Sequence, residues 1–282
     1  MDLHTSAEMI RREVQAALDS KKGFLVGRNG TIEIETLVSN RISRILERNA
    51  GVFPLNEETI YSWIQETKDA IVSADILAAG WYAPLAADEF KLLKSINATA
   101  KHIPLRALEP YYYPEFFRWT SCLKGRRVAI VNSFAESALE QTKKAAAIWP
   151  NHDESILPDA TWIPIRTGYS PVLAQGRAEW PVNVKCWKDA VAHVVQQVVE
   201  SDAEVVLIGC GGLGMIIGAR LKALGKVCIV LGGAIQVLFG IKGRRWEHHE
   251  IISSFWNDAW IWPLLKDTPA GADAVERRCY WE

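Results

Sequence analysis

The run Glu204–Trp246, EVVLIGCGGLGMIIGARLKALGKVCIVLGGAIQVLFGIKGRRW, constrains the fold more than any other stretch. It reads as an apolar strand, a glycine turn, a helix, a second apolar strand (227–231) and a second glycine turn. Cationic residues follow that turn. Short apolar strands that alternate with helices pair in parallel, and a parallel sheet is buried on both faces. Such sheets bind ligands beyond the carboxyl ends of their strands. Cations placed there make phosphate the expected guest.

The remaining chain continues this alternation. Strands are expected at 23–30, 74–80, 126–134 and 160–169, and helices at 6–20, 57–72, 86–96 and 186–202. Residues 33–48 place Ile34, Leu37, Val38, Ile42 and Ile45 at helical spacing. Asn56 is a cap for the helix 57–72, and Ser133 with Glu136 spells a capping box for a helix over 135–148. KHIPLRALEPYYYPEFF reads as loop with short helical pieces, and 170–184 as a loop. The expected fold is a single α/β domain over 1–282. It is Rossmann-like and doubly wound, with a mostly parallel sheet and helices on both faces. The loop near 150–158 is where two lobes could divide.

Bulk properties exclude several classes. Lys and Arg number 32 against 33 Asp and Glu, so no surface is built to coat nucleic acid. The N-terminus MDLHTSAEMIRREVQ lacks the apolar core of a signal peptide, and no apolar run is long enough for a membrane span. The expectation is a cytoplasmic protein. Five scattered cysteines form no CxxC pair, so neither a zinc site nor a disulfide framework is indicated. His248 and His249 are adjacent and would point to different sides of a helix, while His102 and His193 are isolated. There is no G-x-S-x-G elbow and no P-loop. Of the 12 Trp, several fall late, at Trp246, Trp256, Trp260, Trp262 and Trp281. They would serve as platforms for a sugar or base ring, or pack the C-terminal segment on the body. Exposed aromatics also make a homodimer plausible. The Tyr111–Tyr113 cluster would line an acceptor groove or cover the sheet edge.

Three turns carry the chemistry. Gly209, Gly211, Gly212 and Gly214 match dinucleotide-turn spacing between a strand and a helix. The next strand ends in Gly232-Gly233, however, where an NAD site has Asp or Glu for the ribose. The second turn continues through Gln236 and Gly240 to Lys242, Gly243, Arg244, Arg245 and Trp246. Glycines interleaved with cations can wrap a diphosphate. In the first turn, Arg28 and Glu33 bracket Gly30. Glu33 could act as a base or metal ligand there, or simply complement a helix dipole.

Arg28-Asn29-Gly30-Thr31-Ile32-Glu33 resembles the Arg-x-Gly-Asp-x-Glu turn of glycosyltransferases of the GT-D type. Asn132-Ser133-Phe134-Ala135 with Gln141, the run Leu231–Trp246, Asn257, Trp260, Pro263 and the ending Glu276…Cys279-Tyr280-Trp281 look like a related bacterial group. That group is largely uncharacterised and associated with surface polysaccharides. The resemblance implies a transferase with a nucleotide-sugar donor and a glycan or small-molecule acceptor. In the family the Asp and Glu serve metal and nucleotide binding. Here Thr31 stands at the Asp position and Glu33 alone carries over, a poor set for Mn or Mg. On this reading Glu33 is base or donor orienter, and Arg28 pairs with it or touches phosphate. Gly209, Gly211, Gly212, Gly214, Gly232, Gly233, Gln236 and Ser133 hold the nucleotide. Lys242, Arg244 and Arg245 neutralise the leaving diphosphate, and Trp246 stacks on a ring. The alternatives are a non-catalytic nucleotide or nucleotide-sugar binder and an NAD(P)-linked oxidoreductase.

Overall fold

Consecutive residues of the central strands are buried on alternate faces of one sheet. Val205 and Leu207 join one apolar layer, Val206 and Ile208 the other. The computed structural model describes residues 2–150 and 156–282. Among the described residues seven strands form the sheet: β1 Phe24–Arg28, β2 Ile76–Ala78, β3 Lys101–Ile103, β4 Arg127–Asn132, β5 Thr161–Arg166, β6 Val205–Gly209 and β7 Val227–Val230. Their order is β3-β2-β1-β7-β6-β4-β5, and every pairing is parallel.

Direction of travel decides which face each helix covers. Connections running toward β3 carry the helices Thr31–Ser39, Glu57–Ser73, Trp187–Glu200 and Gly214–Ala223, all in the layer of Val206 and Ile208. The connection from β4 to β5 runs the other way, and its helix Ala135–Thr142 lies in the opposite layer with the helix Leu3–Asp19. A single crossover hand requires this segregation. The fold is therefore α/β and doubly wound. β4 and β6 are neighbours whose chains depart in opposite directions, so a crevice opens between their carboxyl ends.

The expected helix 33–48 is two helices, Thr31–Ser39 and Arg44–Ala50. Asn40 adopts a left-handed φ of 53° and ends the first, and the Ser43 hydroxyl caps the second by accepting the Ile45 N–H. The apolar spacing runs on through the break, but Ile42 and Ile45 remain 40% and 43% exposed. The expected helix 135–148 is likewise split, into Ala135–Thr142 and Ala145–Ile148, and Ser133 does not cap it. No side chain caps it; the Asn132 Oδ1 accepts the Phe134 N–H at 2.8 Å in the turn just before the helix. The irregular stretch 170–184 contains a short helix, Pro171–Ala174. Residues 151–155 of the lobe boundary expected near 150–158 lie outside the described residues. Among the described residues, no helix is long and apolar enough to cross a membrane. All five cysteines are free.

Candidate functional site

The carboxyl ends of β1, β4, β6 and β7 open into one cleft of about 350 Å³. β1 delivers Arg28, and the following turn delivers Gly30, Thr31 and Glu33. β6 delivers Gly209 and then Gly211; the turn after β7 delivers Gly232, Gly233 and Gln236. Ser133 enters from the end of β4. Asn132 stitches the switch point, donating from Nδ2 to the Gly209 carbonyl at 2.6 Å.

Charge in the cleft is lopsided. Among the described residues, Arg28, Arg48 and Arg245 line it against Glu33 and Glu276. The Arg28 guanidinium lies 5.0 Å over the Trp81 ring, and its Nε is buried without a hydrogen-bond partner. Burial weakens its hold on the proton, Glu33 and Tyr280 oppose that, and nearby Arg245 adds to it. Glu33 is 8% exposed, and its carboxylate folds back over Gly30, where a side chain would collide with it. Burial pushes the Glu33 carboxyl above the usual carboxylate range, against the pull of Arg28. Ser170 Oγ and Gln236 Oε1 are also buried cleft groups without partners. Such orphaned groups are what a polar ligand would satisfy.

The glycines divide by role. Gly232 (φ 59°) has no room for a side chain against the Arg28 guanidinium. Gly211 (φ 48°) lies so close to the Ala50 carbonyl that an added Cβ would sit 2.8 Å from its oxygen. Gly211→Ala is therefore expected to destabilise the protein by about 1–3 kcal/mol, read as a fall in thermal midpoint. Gly212 and Gly214 do not line the cleft. The Gly212 carbonyl accepts the Trp63 indole N–H at 2.8 Å, and a Cβ on Gly214 would lie 3.1 Å from Val230. Those two glycines serve helix-to-sheet packing.

The three cations of the second turn diverge, and only Arg245 reaches the cleft. Lys242 lies 5.5 Å over the Trp256 ring, and Arg244 is exposed. Trp246 is buried outside the lining. Arg244 and Trp246 part from Arg245 because in the 3₁₀ turn Arg244–Trp246 successive side chains are about 120° apart and cannot share a face. Arg245 donates to the Tyr280 hydroxyl at 2.7 Å and sits 3.6 Å from the Glu276 carboxylate.

Much of one wall comes from the tail, through Val275, Glu276, Tyr280 and Trp281. Trp281 donates its indole N–H to the Asp267 carbonyl at 3.2 Å, and Gln236 donates to the Tyr280 carbonyl at 2.8 Å. Between these anchors Glu276, Arg277 and Arg278 take left-handed φ values of 44°, 55° and 66°. For residues with a Cβ that conformation costs about 1–2 kcal/mol each. On the facing wall, the Tyr169 hydroxyl donates to the Asp267 carbonyl at 2.8 Å. Its only hydrogen is thereby used, so Ser133 donates to Tyr169 across 2.8 Å and keeps acceptor capacity alone.

Cys210 also lines the cleft, but burial raises its thiol to about 12, so it supplies no thiolate. Among the described residues, no three His, Cys, Asp or Glu side chains converge. Of the two cleft carboxylates Glu276 already faces Arg245, so the donor set does not fit a protein-held divalent ion. His249 is occupied as a cap, its Nδ1 accepting the Ile252 N–H. Tyr111 stacks on Trp149 and Tyr113 donates to the Ala107 carbonyl, so both belong to the core.

Several cleft residues carried no site signal in the sequence: Arg48, Asn49, Trp81, Trp180 and Ser170. Trp81 sits shortly beyond β2, a strand-end position that could have marked it. Arg48 is reachable only once the break at Asn40 turns its short helix toward Gly211.

No family model matches the chain, and no curated protein matches it. Two solved structures are similar to it. One is a selenomethionine-substituted domain of unknown function 1792, aligned at 12% identity over 83% of each chain with a TM-score of 0.43. The other is described as the highly conserved domain of unknown function 1792 with a distinct glycosyltransferase fold, aligned at 12% identity over 84% of each chain, again at 0.43.

Proposed function

We propose that this chain transfers a sugar from a nucleotide-sugar donor to a hydroxyl acceptor, a glycan or a small molecule. One observation carries the reading. A desolvated guanidinium with an unpartnered Nε, Arg28, lies beside two glycine corners and a buried carboxylate, Glu33, in one cleft. The diphosphate would rest between Gly209–Gly211 and Gly232–Gly233, with Arg28 and Arg245 facing its oxygens. As the bond from the sugar carbon to phosphate oxygen breaks, the electron pair leaves with the diphosphate. Fixed guanidinium groups stabilise that charge without reorganisation. The acceptor oxygen bonds to the same carbon and gives its proton to Glu33. A carboxyl raised by burial is better matched to that task than an ordinary one. Trp81, Trp180 and Tyr280 offer flat faces to sugar or base.

The test is release of nucleoside diphosphate from a panel of UDP-, GDP- and dTDP-sugars. Arg245→Ala is expected to lower the rate by about 10-fold or more, as loss of a charge-assisted contact does. Arg244→Ala and Lys242→Ala, outside the cleft, are expected to stay within about two-fold, as surface changes do. A panel giving neither binding nor turnover would sink the proposal. The lack of a metal-fitting donor set favours one other reading, a nucleotide binder without chemistry. A nucleotide-induced rise in thermal midpoint with no turnover under any metal would establish it.

A further inference from the structure

The Arg245 guanidinium lines the cleft, yet a carboxylate of the same chain already faces it, at 3.6 Å. That carboxylate, Glu276, opens a turn of three successive left-handed residues with side chains. Both flanks of the turn are fixed: Val275 and Cys279 are buried, Cys279 accepts the Arg245 N–H at 2.9 Å, and Trp281 is tied to Asp267. The turn itself is exposed at Glu276 and Arg277. Within it the side-chain contacts are Glu276 with Arg245 and with the Cys279 thiol, and Arg278 with Asp273 at 3.3 Å, while the Cys279 N–H donates to the Val275 carbonyl at 3.2 Å and the Trp281 N–H to the Arg278 carbonyl at 2.8 Å. A conformation disfavoured for every residue in it persists only where its surroundings hold it.

We infer that Glu276 is a built-in stand-in for the anionic ligand on Arg245, and that the turn 276–278 is a strap which the arriving anion releases. The inference rests on the proposed anion-binding role of the cleft. A diphosphate entering between the glycine corners competes with Glu276 for the same guanidinium. Once displaced, Glu276 no longer holds the turn, and the three residues relax toward ordinary φ. Tyr280 remains on Arg245 through its hydroxyl, so the guanidinium keeps its aim while its counter-charge is exchanged.

The probe is inorganic pyrophosphate on the full chain, followed by calorimetry. Removing the competing charge in Glu276→Gln is expected to tighten binding about two- to five-fold, the range of a part-exposed ion pair. In an Arg245→Ala background the same substitution is expected to change nothing. A second pair of variants works through the backbone. Arg277→Asn and Arg277→Gln remove the same charge, but Asn favours the left-handed region. Arg277→Asn is thus expected to hold the strap closed and bind pyrophosphate about two-fold more weakly than Arg277→Gln. Tryptic cleavage after Arg277 is expected to quicken in wild type with pyrophosphate, and in Glu276→Gln without it. Unchanged or weaker binding by Glu276→Gln overturns the inference and leaves the transferase reading intact. Pyrophosphate binding without any sugar transfer sinks only that reading. No pyrophosphate binding by wild type or Glu276→Gln overturns both.

Discussion

Arg28→Met is expected to lower kcat/KM for the nucleotide-sugar by about 10²–10³-fold, the effect of deleting one preorganised donor to a developing anion. The thermal midpoint is also expected to fall, because Glu33 is left a buried carboxylate without its counter-charge and Trp81 loses the guanidinium over its ring. Arg28→Lys is expected to recover little, because an ammonium presents a point charge rather than a fork and stacks less well on Trp81. Steady-state release of nucleoside diphosphate measures the first effect and thermal unfolding the second. A loss below about 10-fold would remove Arg28 from the chemistry, since that is the scale of an ordinary polar contact.

Glu33→Gln carries the second large effect, a fall in kcat of about 10²–10⁴-fold with donor binding retained. A base must be ionised, so the wild-type rate rises with pH through the Glu33 pKa and is lost as pH falls through it. Burial places that limb above the ordinary carboxylate range, with Arg28 limiting the rise. In Glu33→Gln the limb is expected to vanish. Stability moves the opposite way. The folded state holds this proton more tightly than the unfolded chain, so folding favours the protonated form. Wild-type stability relative to Glu33→Gln therefore declines as pH rises from the unfolded pKa through the folded one, and stays low above it. Thermal midpoints of the two proteins across pH test the sign. A difference independent of pH would mean that Glu33 is not perturbed.

Why was some of this legible and some not? The strands β4, β6 and β7 are buried apart from Arg127 and Gly209 at their ends, so apolar runs alone reveal them. The helix over 33–48 misleads because apolar spacing persists on both sides of Asn40. The break is made by one left-handed residue, not by a change of pattern. At the site, Arg28, Glu33, Gly209, Gly211, Gly232, Gly233, Gln236, Ser133 and Arg245 do gather in one cleft, because strand-end turns in a parallel sheet open on the same side. Arg244 and Trp246 do not line it, since a 3₁₀ turn fans adjacent side chains apart, and Lys242 lies instead over Trp256. Arg48 and Trp180 arrive from segments whose approach depends on tertiary packing, and no local spacing encodes that.

The first strand lies inside the sheet, hydrogen-bonded on one side to β2 and on the other to β7, which is synthesised last of the seven. No emerging N-terminal piece can complete its own central pairing. The wall containing Tyr280 and Trp281 is later still. The stretch through Trp281 must leave the ribosome before the walls of the cleft can close around one another. Such long-range closure is slow. It leaves strand edges unprotected meanwhile, and production of this protein should depend on chaperone supply more than its final stability would indicate.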